Sequence, residues 1–326
     1  MNSDKINIVA CLDKGFVMPT GVMVYSACVN TPNVDTDFHF VIDESVTDED
    51  KKSIDDTIGQ FQGKHSFYYN VSDHLLNITK FVCKSGLPLI TYYRLFLTEI
   101  LPNDIEKVLY LDGDCIVRHS LQPLCDIDLS DYAVGSVFDM YDGDIEFYNR
   151  LRYAPEKGYF NAGVLLINLD YWRRHDVIND FIDYLNTYPE RIMLEDQDVL
   201  NVVFQDKKLA IPIKYNFQMN FLNKIPKWYY WKYEEELTKA QKDPVIVHFA
   251  GFYKPWDKRI RHPHPFDSTF YKYQDQTIWR GQRVERRKLK TRIINNVGTI
   301  LRKLRLMPPK ESLYKEYPPI DTSENI

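Results

Sequence analysis

The sequence has no Gly-x-Gly-x-x-Gly after its first apolar segment and no lysine-bearing phosphate loop. Those absences argue against a dinucleotide-binding dehydrogenase and a P-loop NTPase. No apolar run reaches the length of a membrane span, so no transmembrane helix is expected. No signal-peptide pattern precedes the first apolar segment, and the protein is expected to be made and kept on the cytoplasmic side. Cysteine is sparse: Cys11, Cys28, Cys83, Cys115 and Cys125 are odd in number and fit no zinc spacing. They read as buried free thiols in a reducing compartment. No repeat or low-complexity segment appears before residue 280.

What is present is apolar material in short, regularly spaced blocks. The 326 residues are 44% hydrophobic and 14% aromatic, enough to bury a sizeable core in one large α/β domain or two small ones. Ile6 to Leu12 reads as a first buried strand ending at Asp13. Gly15, Pro19 and Gly21 break the chain, and Val22 to Val29 reads as a helix. Asp37 to Ile42 is a second strand, Thr47 to about Ile58 a capped helix, and His65 to Val71 a third strand. The alternation predicts a Rossmann-like, mostly parallel twisted sheet with helices on both faces. Further along come a helix over Thr91 to Ile100, strands at Val134 to Phe138 and Phe160 to Leu169, and an amphipathic helix over Asp170 to Tyr188. A helix from Glu195 through Phe204, a short strand at Lys208 to Ile213 and an apolar run at Val245 to Gly251 complete the body.

The centre of the sequence is Lys107 to Asp114, where four apolar residues run into Asp112-Gly113-Asp114. If the backbone stays extended, the two carboxylates project together from the carboxyl end of the strand, where open α/β sheets bind ligands. Gly113 leaves room for a ligand at the backbone. Two adjacent carboxylates call for a divalent cation with oxygen ligands, Mg²⁺ or Mn²⁺. Asp-Gly-Asp is also ordinary surface-turn chemistry.

Other residues admit two readings each. Arg94 is either a surface cation or overhangs the same edge. His248, at the end of an apolar strand, is either a core histidine or a third metal ligand. Gly251 and Lys254 follow it, and together they offer backbone N–H and a compact positive charge to a diphosphate. Glu195-Asp196-Gln197-Asp198 either caps a helix or holds sugar hydroxyls.

Seven segments, in order over about residues 6 to 260, resemble glycosyltransferase family 8. They are the opening strand to Asp13, Tyr93-Arg94-Leu95, Val108 to Asp114, Gly158 to Leu169, Asp196 to Asn201, Ile213 to Asn216 and His248 to Trp256. More closely, the chain resembles the bacterial α-glucosyl- and α-galactosyltransferases of the lipopolysaccharide core. The resemblance implies a GT-A fold and a UDP-hexose donor, with glucose and galactose both open. It implies Asp112, Asp114 and His248 as ligands of Mn²⁺ (or Mg²⁺) and Asp13 as the uracil-binding acid. Arg94, Asp112, Asp139, Asn161, Asp196, Gln197, Gly251 and Lys254 are then donor-binding residues, and Gln197 and Asp196 lie nearest the reacting carbon. An amide is a poor nucleophile, so front-face attack is preferred to a covalent step on Asp196. Where the family often has Asp-Asn or Lys-Asn after the uracil acid, this chain has Lys14-Gly15.

Residues 280 to 305 hold ten Lys or Arg against Glu285, a net +9 within a chain of −5, so the remainder carries −14. Leu289, Ile293, Val297, Ile300 or Leu301, and Leu304 form a helical stripe with basic flanks. The expected division is a catalytic domain at 1–279 and a basic amphipathic helical tail with a flexible end at 280–326. The tail is expected to dock on an anionic membrane surface, where an oligosaccharide acceptor would be lipid-linked. Packing on the core and nucleic-acid binding are its other readings, and the acidic body speaks against the last. For the whole chain, the alternatives are a nucleotide-sugar-binding protein without turnover and a transferase acting on a glycoprotein or other non-lipid acceptor.

Overall fold

The computed structural model describes residues 5–71, 89–222, 227–251, 254–257 and 264–283. Strands β1 (Lys5–Leu12), β2 (Asp35–Ile42), β3 (Lys64–Asn70) and β4 (Lys107–Leu111) are parallel neighbours. With β6 (Val134–Phe138), β7 (Phe160–Asn168) and β8 (Lys208–Ala210) they form a seven-stranded sheet ordered β3-β2-β1-β4-β7-β6-β8. β7 runs against both β4 and β6, while β8 is parallel to β6. A second sheet pairs β5 (Cys115–Val117), β10 (Ile246–His248) and β9 (Phe217–Gln218).

Each face of the large sheet has its own core. Ile6, Ile8, Ala10 and Leu12 of β1 face a cluster that includes Val22, Met23 and Ile54. Val9 and Cys11 face the other, with Leu95, Trp172, Phe181 and Leu200. The unbroken apolar run over residues 8–12 is what two covered faces require. Among the described residues, Cys11, Cys28 and Cys115 are buried free thiols and Cys125 is a half-buried one. Burial pushes the thiols of Cys11, Cys28 and Cys125 up to about 12. Cys83 lies outside the described residues.

Several elements differ from the sequence reading. Helix α1 spans Val17–Asn30 and so starts before Pro19. A proline in the first turn costs nothing there, because its missing N–H would have had no partner. Asp13 accepts the N–H groups of Gly15 and Phe16, capping the short turn that leads into α1. Helix α2 (Asp48–Ile58) carries the expected cap at Thr47, which Asp50 reciprocates by accepting the Thr47 N–H. Residues 91–96 belong to a 3-10 helix, Leu89–Phe96, with a single α turn following at Leu97–Ile100. The long helix expected over 170–188 is two, Leu169–Arg174 and Val177–Thr187, parted at Asp176, whose φ is 50°. The strand expected to reach Ile213 stops at Ala210, ahead of Pro212.

The packed body continues past residue 279. Trp279 is buried against α1 at Gly21, where an added Cβ would stand 2.0 Å from the indole ring. Arg283 pairs with Asp275 at 2.5 Å. The basic stripe and the flexible end of the expected tail lie outside the described residues. Among the described residues, no helix is long and apolar enough to cross a membrane.

Candidate active site

Two structural choices gather the site at the carboxyl edge of β1 and β4. Because β7 is antiparallel to β4, its first residues meet the end of that strand, with Leu111 opposite Val164 and the Asp112 N–H donating to Gly163 O at 2.8 Å. Because β6 is antiparallel to β7, Phe138 pairs with Phe160 and Asp139 arrives beside Asn161.

Asp112 and Asp114 do come together, but not through extended backbone. β4 ends at Leu111, and a turn closed by Cys115 N–H to Asp112 O at 3.1 Å brings the carboxylates round. The space at Gly113 belongs to α1 rather than to a ligand: an added Cβ would meet Thr20 Oγ1 at 2.3 Å. Both carboxylates face His248, whose Nε2 lies 3.7 Å from Asp112 Oδ2 and 3.3 Å from Asp114 Oδ1. His248 reaches them because β10 pairs antiparallel with β5, placing it opposite Cys115. The Lys254 ammonium binds the other Asp114 oxygen and donates to Phe249 O at 2.6 Å. Burial alone would raise Asp114, yet Lys254 and, in its protonated form, His248 hold its carboxyl well below the usual carboxylate range.

Asp112 Oδ1 is held by Arg94 at 3.0 Å and by the Tyr110 hydroxyl at 2.9 Å, which leaves Oδ2 toward His248. Arg94 is a buried hub and not a surface cation. It donates to Ala162 O at 2.7 Å, stacks over Tyr110 at 4.3 Å and lies 3.0 Å from Asp196 Oδ2 without an aligned hydrogen bond. Burial disfavours its charge, but Asp112 and Asp196 keep it charged. Burial pushes the Asp196 carboxyl up to about 7 against the pull of Arg94, with Asp112 adding to the rise.

The Glu195–Val203 helix resolves the ambiguous acidic run residue by residue. Asp198 is structural: fully buried, it accepts the N–H groups of Met193 and Leu194 at 2.7 and 2.8 Å and pairs with Arg150. Glu195 has φ of 46° and accepts the Tyr92 hydroxyl. Gln197 turns into the pocket, with Oε1 accepting the Ala162 N–H at 2.9 Å and Nε2 donating to Tyr159 Oη at 3.2 Å and Asp139 Oδ2 at 3.4 Å. Asn161 donates to Asp139 Oδ2 at 2.9 Å and to Gln197 Oε1 at 3.3 Å. Burial pushes the Asp139 carboxyl up, opposed by its bonds from Asn161, the Tyr141 N–H and Gln197.

The structure therefore joins Arg94, Asp112, Asp114, Asp196, His248 and Lys254 in one group of ionisable side chains, and Asp139, Asn161 and Gln197 in an adjoining polar one. Asp13 stands at the same sheet edge on β1, its Oδ1 engaged with its own turn at 2.8 Å from the Gly15 N–H. Gly251 has φ of 83°, backbone that favours glycine. Sequence reasoning assigned no role to Tyr110, Tyr159, Gly163 or Asn216. All four stood inside recognised segments, but nothing in their residue type signalled a contact.

Three acceptor atoms with little between them suit a cation. Gly163 keeps the space open, since a Cβ there would stand 2.1 Å from His248 Cε1 and 2.8 Å from Asp112 Oδ2. Cys115 also lies with Asp114 and His248 in a cluster whose ligand atoms are within 4.8 Å of one another. Burial holds its thiol protonated, which disfavours it as a ligand, and no such group among the described residues includes Asp112.

The sequence profile described as Glycosyl transferase family 8 matches residues 7–259. General stress protein A of Bacillus subtilis is 26% identical over 286 residues, spanning 86% of this chain and 96% of its own. The lipopolysaccharide 1,3-galactosyltransferase of Salmonella typhimurium is 27% identical over 263 residues, 78% of this chain and 74% of its own. Galactosyltransferase LgtC, solved with donor and acceptor sugar analogues, superposes with a TM-score of 0.72 at 26% identity, over 84% of this chain and 96% of that one. The fold is that of the GT-A glycosyltransferases.

Proposed function

Because the chain belongs to glycosyl transferase family 8, matched over residues 7–259, we propose that it transfers glucose or galactose from a UDP-sugar to a saccharide acceptor. The transfer is metal-dependent and retains the α configuration. The observation that carries this reading is the convergence of Asp112 Oδ2, Asp114 Oδ1 and His248 Nε2 beside Lys254, at the sheet edge where α/β proteins bind ligands. These three residues would hold Mn²⁺ or Mg²⁺, whose chemistry when bound is to neutralise the diphosphate. Lys254 supplies a second, fixed positive charge for the same leaving group. Asp13 takes the uracil, and Gly251 gives a phosphate close access to backbone.

Arg94 fixes Asp112 toward the diphosphate and Asp196 toward the sugar, so one guanidinium sets the spacing of the two halves. Asp139, Asn161, Asp196 and Gln197 form the wall that orients the hexose. The Gln197 amide is held by Ala162, Asn161, Asp139 and Tyr159, which supports its acting as a fixed dipole rather than a nucleophile. Asp196 is engaged by Arg94, which speaks against its acting as a free nucleophile. In the front-face reaction the bond from the anomeric carbon to the phosphate oxygen breaks as the acceptor hydroxyl attacks from that same face. The leaving β-phosphate oxygen takes the acceptor's proton.

The expected acceptor is a lipid-linked oligosaccharide of the lipopolysaccharide core or another cell-surface glycan. The names of the Salmonella relative and LgtC favour a hexose donor. Purified protein incubated with UDP-glucose or UDP-galactose and a sugar acceptor should give an α-linked product, read from the anomeric proton coupling by NMR. A β-linked product would refute retention.

A further inference from the structure

A chain of hydrogen bonds decides which nitrogen of His248 carries the ring proton. It starts at a donor that cannot be reversed, the backbone N–H of Gly163, which donates to Asn161 Oδ1 at 2.9 Å. That fixes the Asn161 amide, whose Nδ2 then faces Asp139 Oδ2 at 2.9 Å and Gln197 Oε1 at 3.3 Å. The second acceptance at Asn161 Oδ1 comes from Asn216 Nδ2 at 2.9 Å, which fixes the Asn216 amide in turn. Asn216 Oδ1 is left facing His248 Nδ1 at 3.0 Å. An oxygen there can only accept, so the proton sits on Nδ1. In the neutral ring Nε2 is then a bare lone pair, aimed at Asp112 Oδ2 and Asp114 Oδ1. Asp114 Oδ1 is itself buried with no aligned hydrogen-bond donor among the described residues.

We propose that Asn216 is a positioning residue that, with Asn161, locks His248 in the Nδ1–H tautomer and so presents Nε2 to a divalent cation. Asn216 is fully buried and stands on the segment between β8 and β9, away from the cation-facing atoms. All four hydrogen-bonding positions of Asn161 are filled internally, so it links the sugar wall at Asp139 to the metal ligand. Such outer partners ordinarily set metal affinity by fixing ring orientation and basicity.

The inference rests on the metal reading above, and its test separates the two. Protein with ¹⁵N-labelled histidine is examined metal-free, at a pH where the ring is neutral, with His248 assigned by its loss in His248→Gln. The wild type should show a protonated Nδ1 and an unprotonated Nε2. Asn216→Leu, similar in volume but without an acceptor, should lose that preference and bind Mn²⁺ on the order of 10- to 100-fold more weakly by electron paramagnetic resonance titration. Asn216→Asp loses the donor to Asn161 but keeps an acceptor for Nδ1–H, so its ring should stay protonated at Nδ1. A wild-type ring protonated at Nε2 overturns the relay, whatever the variants do. So does an Asn216→Asp ring that has lost its Nδ1 proton, or an Asn216→Leu that binds as wild type does. A wild type that binds no Mn²⁺ overturns the metal reading instead.

Discussion

A Cβ on Gly163 would stand 2.1 Å from Cε1 of His248, closer than any real contact allows. The absent side chain is therefore what lets the imidazole reach the two carboxylates. Gly163→Ala must push His248 away or bend β7, and neither gives easily, because both are buried. The expected outcome is a folded protein, destabilised by about 1–3 kcal/mol, with Mn²⁺ affinity down at least tenfold. Thermal melting and Mn²⁺ titration together check it, and wild-type affinity in the variant would show that His248 has room to spare.

Removing the charged residues should hit the rate and spare the fold. Asp112→Asn, Asp114→Asn and His248→Ala should each lower turnover about a thousandfold or more, the scale of several kcal/mol of lost charge stabilisation. Steady-state kinetics alongside circular dichroism read this. A variant with a native spectrum and near-normal turnover would remove its residue from the site.

Asp196 makes a pH-dependent prediction. Burial raises its carboxyl from the usual 3.8 to about 7, with Arg94 opposing and Asp112 adding. A carboxyl whose pKa is higher folded than unfolded lowers stability as pH rises between those two values, and the full cost stands above pH 7. Asp196→Asn should therefore melt higher than wild type at pH 8, and the advantage should shrink toward pH 4. Melting curves that keep a constant offset across that range would show that Asp196 ionises normally.

The basic segment predicts surface binding without a role in donor chemistry. Each Lys or Arg near an anionic leaflet contributes roughly 1 kcal/mol, and the apolar stripe adds burial at the interface. Trp279 and Arg283 pack on the body, so the informative truncation ends after Arg283. That chain should keep UDP-sugar hydrolysis but lose sedimentation with phosphatidylglycerol vesicles, while the full chain should be released by high salt. Equal sedimentation of both would make the segment a packing element.

The sequence carried the strands because strands buried on both faces show unbroken apolar runs, as in residues 8–12 of β1 and 108–111 of β4. It marked candidate site residues because charged and polar side chains stand where apolar runs stop. It did not carry strand direction, and β7 running antiparallel is what brings Gly163 beside Asp112. The three-residue strand at Cys115–Val117 and the two-residue strand at Phe217–Gln218 are too short for a period to register. Their sheet is nonetheless what delivers His248 to Asp114. Gly113 was legible as a special position but for the wrong neighbour, because Thr20 comes from a helix whose start was hidden by Pro19. Asn216 carried no signal of its own: an asparagine's partners are set by what the fold places around it.

The central claim is that this edge of the sheet holds a cation against the diphosphate of a UDP-hexose. The most direct test is the rate of free UDP release from UDP-glucose and UDP-galactose, measured with Mn²⁺ and again in excess chelator. Release with at least one donor that falls to background in chelator and returns when Mn²⁺ is restored is the expected result. Release that continues undiminished in chelator, or none from either donor with Mn²⁺ and a sugar acceptor present, would contradict it.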